Sequence, residues 1–155
     1  MANCAVIGGT GLNNLHALEV VSEQIIDTPY GATSASLIHG VMAGRAVVFL
    51  PRHGTKHTIA PHQINYRANI WALRNIGISH VVAVNAVGGI RADIEPGELL
   101  IPNQIIDYTW SREHTFYDGK TMPLVHVDFT TPFSTELGKI LVEAGRLSGI
   151  PLWNG

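Results

Sequence analysis

The residues best suited to chemistry stand where apolar runs stop. Cys4-Ala5-Val6-Ile7 opens into Gly8-Gly9-Thr10-Gly11, Ala46-Val47-Val48-Phe49-Leu50 into Pro51-Arg52-His53-Gly54, and His80-Val81-Val82-Ala83-Val84 into Asn85-Ala86-Val87-Gly88-Gly89. In open α/β sheets ligands bind beyond the carboxyl ends of the strands, so three such ends can converge on one site. Each admits a second reading. The first glycine run can offer backbone N–H groups and the Thr10 hydroxyl to an anion, because glycine permits close approach and positive φ; it can equally be a structural turn. A dinucleotide fingerprint fits it poorly, since Asn14 occupies the third glycine position. Arg52 presents a planar fork that matches two phosphate oxygens, or it caps the sheet edge with a carboxylate such as Asp27 or Glu95. His53, His57 and His62 lie close together, yet their spacing matches no zinc pattern and Pro61 breaks a regular helical face, so no metal is expected.

The elements that must position these groups alternate. A region from Ser36 to Ile38 leads through a turn near Ala43-Gly44 into the strand ending at Leu50, whose unbroken apolar run predicts cover on both faces. Gln63 to Ile76 reads as a helix with Ile64, Ala68, Trp71 and Ala72 on one face, widened by Ile70 and Leu73, and stopped by Gly77. Leu99-Leu100-Ile101 and Gln104-Ile105-Ile106 read as further strand, with Pro102 arguing for an edge or a bend. Ser134 reads as the N-cap of a helix carrying Leu137, Ile140, Leu141, Ala144 and Leu147 and stopped by Gly149. Leu152-Trp153 looks like entry into one more buried strand, cut off at Gly155. The expected class is α/β, a mainly parallel or mixed sheet with helices on both faces, forming a single domain over residues 1–155 that is incomplete at its C-terminal end.

Composition sets the outer bounds. The chain has 155 residues, 46% hydrophobic and 14% charged, with a formal net charge of −2; this describes a globular protein with no electrostatic footprint for nucleic acid or an anionic membrane. No apolar run approaches the roughly 20 residues of a membrane span, and the start of the chain carries no signal-peptide pattern, so a cytoplasmic protein is expected. The one cysteine, Cys4, begins an apolar strand and reads as a buried inert thiol rather than a nucleophile.

Six strings then carry a family resemblance: IGGTG at 7–11, TPYGATSA at 28–35, FLPRHGTKHTIAPHQINYRANIWAL at 49–73, AVNAVGGI at 83–90, IDYTWSREHTFYDG at 106–119 and HVDFTTPF at 126–133. In order and spacing they resemble the methylthioadenosine and methylthioinosine phosphorylases of the purine nucleoside phosphorylase family, and the likeness runs across essentially the whole chain. The resemblance implies that Thr10, Arg52, His53, Asn85 and Ala86 hold phosphate, a co-substrate, with no cofactor. It implies a homotrimer in which His126 reaches a neighbouring subunit's 5′-substituent pocket; taken alone, His126 reads as a surface or core histidine. Where methylthioadenosine phosphorylases usually carry threonine in a TACGS-like string, this chain has Asn85, which looks more like the methylthioinosine or 6-oxopurine branch.

The implied reaction is phosphorolysis of S-methyl-5′-thioinosine to free base and 5-methylthioribose 1-phosphate, with methylthioadenosine as the rival substrate. By the same resemblance, the donor to the purine and the sugar-contacting methionine belong to segments beyond Gly155, so no catalytic residue is assigned within the chain. A non-catalytic remnant that binds phosphate or only assembles is the alternative of another class.

Overall fold

The computed structural model describes residues 2–12, 14–120 and 122–155. By its contacts the chain divides into two compact units, Met1–Ala86 with Ser111–Phe116, and Val87–Trp110 with Tyr117–Gly155.

The first unit is built on strands β1 (Cys4–Gly8), β2 (Glu19–Gln24), β3 (Leu37–Met42), β4 (Arg45–Pro51) and β5 (His80–Ala83), in the order β2-β3-β4-β1-β5. The sheet is mixed: β1 runs parallel to both β4 and β5, while β2, β3 and β4 form an antiparallel meander. Ala43 and Gly44, with φ of 49° and 72°, make the tight turn that joins β3 to β4, the backbone that a twisted two-residue hairpin requires. Register aligns Val6 with Phe49 on one side and Val82 on the other, so the three parallel strands end side by side.

Burial follows the apolar run of β4. Val48 and Leu50 pack with Ala5, Ile7 and Leu37 and with Ala72 and Leu73 of helix α1 (Tyr66–Asn75), whereas Val47 and Phe49 pack with Leu12, Leu15 and Leu18 on the opposite face. One face is thus covered by α1 and the other by the loop after β1.

Helix α1 starts later than the apolar pattern suggests. Pro61–Gln63 is a separate 3-10 turn, and Asn65 caps α1 by accepting a hydrogen bond at Oδ1 from the Ala68 N–H (3.1 Å). Side-chain capping satisfies a donor that the first turn otherwise leaves open. Gly77, at φ 86°, ends the helix as expected. The buried face is also rotated: Asn69 points inward at 3% exposure while Ile70 is 42% exposed. Asn69 can do so because its amide bonds Ser34 twice, Oδ1 accepting from the N–H (2.8 Å) and Nδ2 donating to Oγ (2.9 Å).

In the second unit β6 (Leu99–Ile101) pairs in parallel with β7 (Leu152–Asn154), and the connection includes helix α2 (Thr135–Ser148). Ser134 caps α2 by accepting from the Leu137 N–H, and Gly149 ends it at φ 67°. Residues 104–106 are not a strand. The Gln104 side chain instead accepts from the Ile105 N–H and donates to the Thr130 carbonyl, which diverts the backbone from a ladder. On α2 the closest packing is at Gly145, whose Cα lies so near Leu152 that a Cβ there would sit 2.8 Å from Leu152 Cγ. Leu147, expected on the buried face, is 71% exposed. Among the described residues, no helix is long and apolar enough to cross a membrane.

Candidate functional site

Arg52 follows β4 directly and ties three strand ends together. Its backbone N–H donates to the Gly8 carbonyl at the end of β1 (3.0 Å). Its Nη1 donates to the carbonyl of Val84, just past β5 (2.9 Å). The guanidinium lies against Gly9. Burial lowers the Arg52 pKa from its ordinary value, and the nearby Tyr66 phenol acts in the opposite direction. A cation partly withdrawn from water with a backbone carbonyl for a partner is suited to receive an anion. Within the first unit, no ion pair joins Arg52 to Asp27 among the described residues.

His53 is held by a closed turn. The Ile59 N–H donates to the His53 carbonyl (3.0 Å), and His53 Nδ1 lies 2.8 Å from the Ile59 carbonyl. A carbonyl can only accept, so Nδ1 carries the hydrogen and Nε2 is the ring atom left to meet a ligand. Gly54, at φ 79°, and His57, at φ 54°, bend the chain between these points. The His57 ring packs against the His53 ring, centroids 4.6 Å apart, and His53 is 7% exposed. Orientation here comes from backbone geometry. Among the described residues, no group of three or more His, Cys, Asp or Glu could hold one.

Thr10, Arg52, His53, Asn85 and Ala86 line one cavity of about 390 Å³ together with Ile7, Ala83, Pro61, Tyr66, Asn69 and Ile70. All belong to the first unit. The volume falls in the range of small-molecule sites. Gly11, at φ 83°, turns the chain after Thr10, and the Asn85 amide donates to the Ala83 carbonyl (3.3 Å). A second hollow of about 440 Å³, bordered by Ile25, Asp27, Thr28 and Thr33 among others, contains none of the strand-end residues.

The sequence reading missed Tyr66, Asn69 and Ile70. Asn69 left one signal, an amide between Ala68 and Ala72 on a stripe otherwise apolar. Tyr66 is fixed from two sides: its hydroxyl donates to the Pro61 carbonyl (3.0 Å), and Arg112 stacks on its ring at 5.8 Å with Nη1 3.5 Å from the hydroxyl. Arg112 comes from the 111–116 segment, which also ties to α1 through the Arg67–Glu113 ion pair (3.1 Å) and to Tyr30 through Phe116. His126 lies in the second unit, exposed and outside any regular element.

Comparison with known proteins gives a consistent picture. Residues 3–155 match the model of the phosphorylase superfamily. The probable 6-oxopurine nucleoside phosphorylase of Dictyoglomus turgidum is 44% identical over 146 residues, covering 94% of this chain and 55% of the relative. A probable S-methyl-5′-thioinosine phosphorylase of Pseudomonas syringae pv. tomato is 46% identical over 145 residues, covering 94% of this chain and 59% of the relative. The structure of methylthioadenosine phosphorylase from Schistosoma mansoni in complex with tubercidin superposes with a TM-score of 0.93 at 36% identity, over 99% of this chain and 56% of that one. The chain therefore spans a little over half the length of the relatives it matches.

Proposed function

The chain belongs to the phosphorylase superfamily, and from that premise we propose that it supplies the phosphate-holding part of a purine nucleoside phosphorylase, a pentosyltransferase acting on S-methyl-5′-thioinosine. The observation that carries this reading is the grouping of Thr10, Arg52, His53, Asn85 and Ala86 around one cavity at the ends of three adjacent parallel strands. Inorganic phosphate is the second substrate, and no cofactor takes part.

In the proposed reaction a phosphate oxygen bonds to C1′ of the nucleoside as the C1′–N9 bond breaks. The bonding electron pair leaves with the purine, which then takes up a proton; the products are free base and 5-methylthioribose 1-phosphate. The transition state carries positive charge on the sugar, so an anion fixed beside C1′ stabilises it and then captures it. Arg52 holds two phosphate oxygens with its fork. His53 Nε2 accepts the hydrogen of monohydrogen phosphate, and the Thr10 hydroxyl, the Asn85 amide and the Ala86 backbone N–H complete the cradle. Each of these groups positions the nucleophile; none transfers a proton to the purine.

A 6-oxopurine preference is supported by Asn85 in AVNAVGGI and by the two relatives named for 6-oxo substrates. Likeness to the Schistosoma methylthioadenosine phosphorylase favours the second reading, a 6-amino substrate. Assaying the gene product with phosphate and each nucleoside decides between them: a kcat/KM for methylthioadenosine at or above that for methylthioinosine overturns the 6-oxo preference. We place the reaction in the cytoplasm and in a homotrimer whose His126 contributes to a neighbouring 5′-pocket. Sedimentation equilibrium giving a monomer at assay concentration would contradict the trimer.

A further inference from the structure

Gly9 is not glycine on account of a positive φ. Gly11 needs its residue type for a φ of 83°, whereas Gly9 is outside the left-handed region. The three atoms nearest to a side chain at this position all belong to Arg52. A Cβ built on Gly9 would lie 2.5 Å from Arg52 Cζ and 2.6 Å from Nη1, with Nη2 nearer still, and these are the nearest atoms it meets. Neighbouring Gly8 differs: a Cβ there meets the Leu12 carbonyl oxygen and the Phe49 ring, the latter at 2.7 Å.

We propose that Gly9 is a positioning residue, a bare stretch of backbone on which the Arg52 guanidinium lies flat so that its fork faces the anion cavity. The proposal rests on the reading of that cavity as a phosphate site. It gives the glycine-rich loop a role distinct from offering its own N–H groups: it aims a side chain arriving from another strand. The Nη1 bond to the Val84 carbonyl fixes a second side of the guanidinium, and the Arg52 N–H bond to the Gly8 carbonyl fixes the backbone from which it extends. A methyl group at position 9 must lift the guanidinium away from the loop, and in doing so breaks the bond to Val84.

The test is a double-mutant cycle on this chain, reading thermal stability, the Arg52 Nε–Hε resonance and inorganic phosphate binding by titration. Gly9→Ala is expected to lower Tm by only about 1–3 °C, because the atoms it displaces are the far end of a flexible side chain. It should also move the Arg52 resonance and weaken phosphate about tenfold through a misplaced charge-assisted contact. In an Arg52→Ala background, Gly9→Ala is expected to cost nothing further, because the clash is gone. Gly8→Ala, which meets Leu12 and Phe49, keeps its full cost in that background. Should Gly9→Ala alone fail to fold, folding of Gly9→Ala/Arg52→Ala like its Arg52→Ala parent supports the proposal, and failure of both overturns it. An unmoved Arg52 resonance, or a phosphate effect of Gly9→Ala that persists undiminished without Arg52, also overturns it. A wild-type chain that binds no phosphate removes the underlying reading and this proposal with it, a failure distinguished by appearing before any substitution is made.

Discussion

The two units differ in how they hold their shape. Every buried hydrophobic residue among those described, from Ala5 and Ile7 through Phe49 and Leu50 to Leu73 and Ile78, belongs to the first unit. The second unit buries Gly145 against Leu152 and leaves Ile106, Tyr108, Trp110, Leu124 and Leu147 largely exposed. A closed core lets the first unit aim side chains: Arg52 and His53 follow β4, which packs on both faces. The second unit relies on local devices such as caps and short-range ion pairs, and its exposed apolar surface is of the kind that proteins ordinarily cover. Attachment to a packed strand, not residue type, therefore separates Arg52, half-buried at the end of β4, from Arg146, paired with Glu143 on an open helix face.

The largest effect should come from the core itself. Phe49→Ala is expected to cost about 3–5 kcal/mol in denaturant unfolding, the scale of an aromatic deletion with a cavity left behind. Leu147→Ala should stay within about 0.5 kcal/mol. Equal losses at the two positions would break the comparison.

Next is Arg52→Ala, expected to weaken phosphate by about 1.5–3 kcal/mol as a charged hydrogen-bond partner is lost. Lysine should rescue poorly because it cannot reproduce the fork. Unchanged phosphate affinity in a folded Arg52→Ala protein would remove Arg52 from the site.

Capping gives a finer contrast. Asn65 both caps α1 and donates from Nδ2 to the Tyr30 carbonyl (2.6 Å), so Asn65→Ala should cost about 1–2 kcal/mol. Ser134→Ala, which removes a cap alone, should cost about 1 kcal/mol. The reverse order in denaturant titrations would mean that the tie to Tyr30 contributes nothing.

The smallest effect is electrostatic. Hydrogen bonding from Arg146 holds the Glu143 carboxyl below its ordinary range. A depressed carboxyl favours the folded state above its unfolded pKa, and that contribution disappears as pH falls through the folded value. Both groups are solvent-exposed, so the check is a carboxyl titration by NMR rather than a melt: Arg146→Ala should return Glu143 towards its ordinary value. No change would show that the pair does not persist in solution.

Much of the site was legible because strand ends are marked twice, by the stop of an apolar run and by the glycine or polar group that follows. Gly8-Gly9-Thr10-Gly11, Arg52-His53 and Asn85-Ala86 all carry that double mark, and Thr10, Arg52, His53, Asn85 and Ala86 line the cavity. Caps at Ser134 and Gly149 were equally readable, being local chemistry. What escaped depends on partners distant in sequence. Asn69 turns inward because Ser34 meets its amide, and Tyr66 reaches the rim because Arg112 and Pro61 hold it. Residues 104–106 fail as strand because a Gln104 side chain bonds Thr130. No periodicity encodes these pairings. The reason for glycine at position 9 is likewise a guanidinium from another strand, invisible to any window along the chain.

The central claim is that the ends of β1, β4 and β5 form one phosphate site. Titrating the isotopically labelled chain with inorganic phosphate and following backbone and side-chain amide resonances tests it most directly. Saturable shifts should gather on Gly9, Thr10, Arg52, His53, Asn85 and Ala86, spare α2, and need about 10–150-fold more phosphate in Arg52→Ala. Shifts that never saturate, or that concentrate elsewhere while these residues stay still, would contradict it.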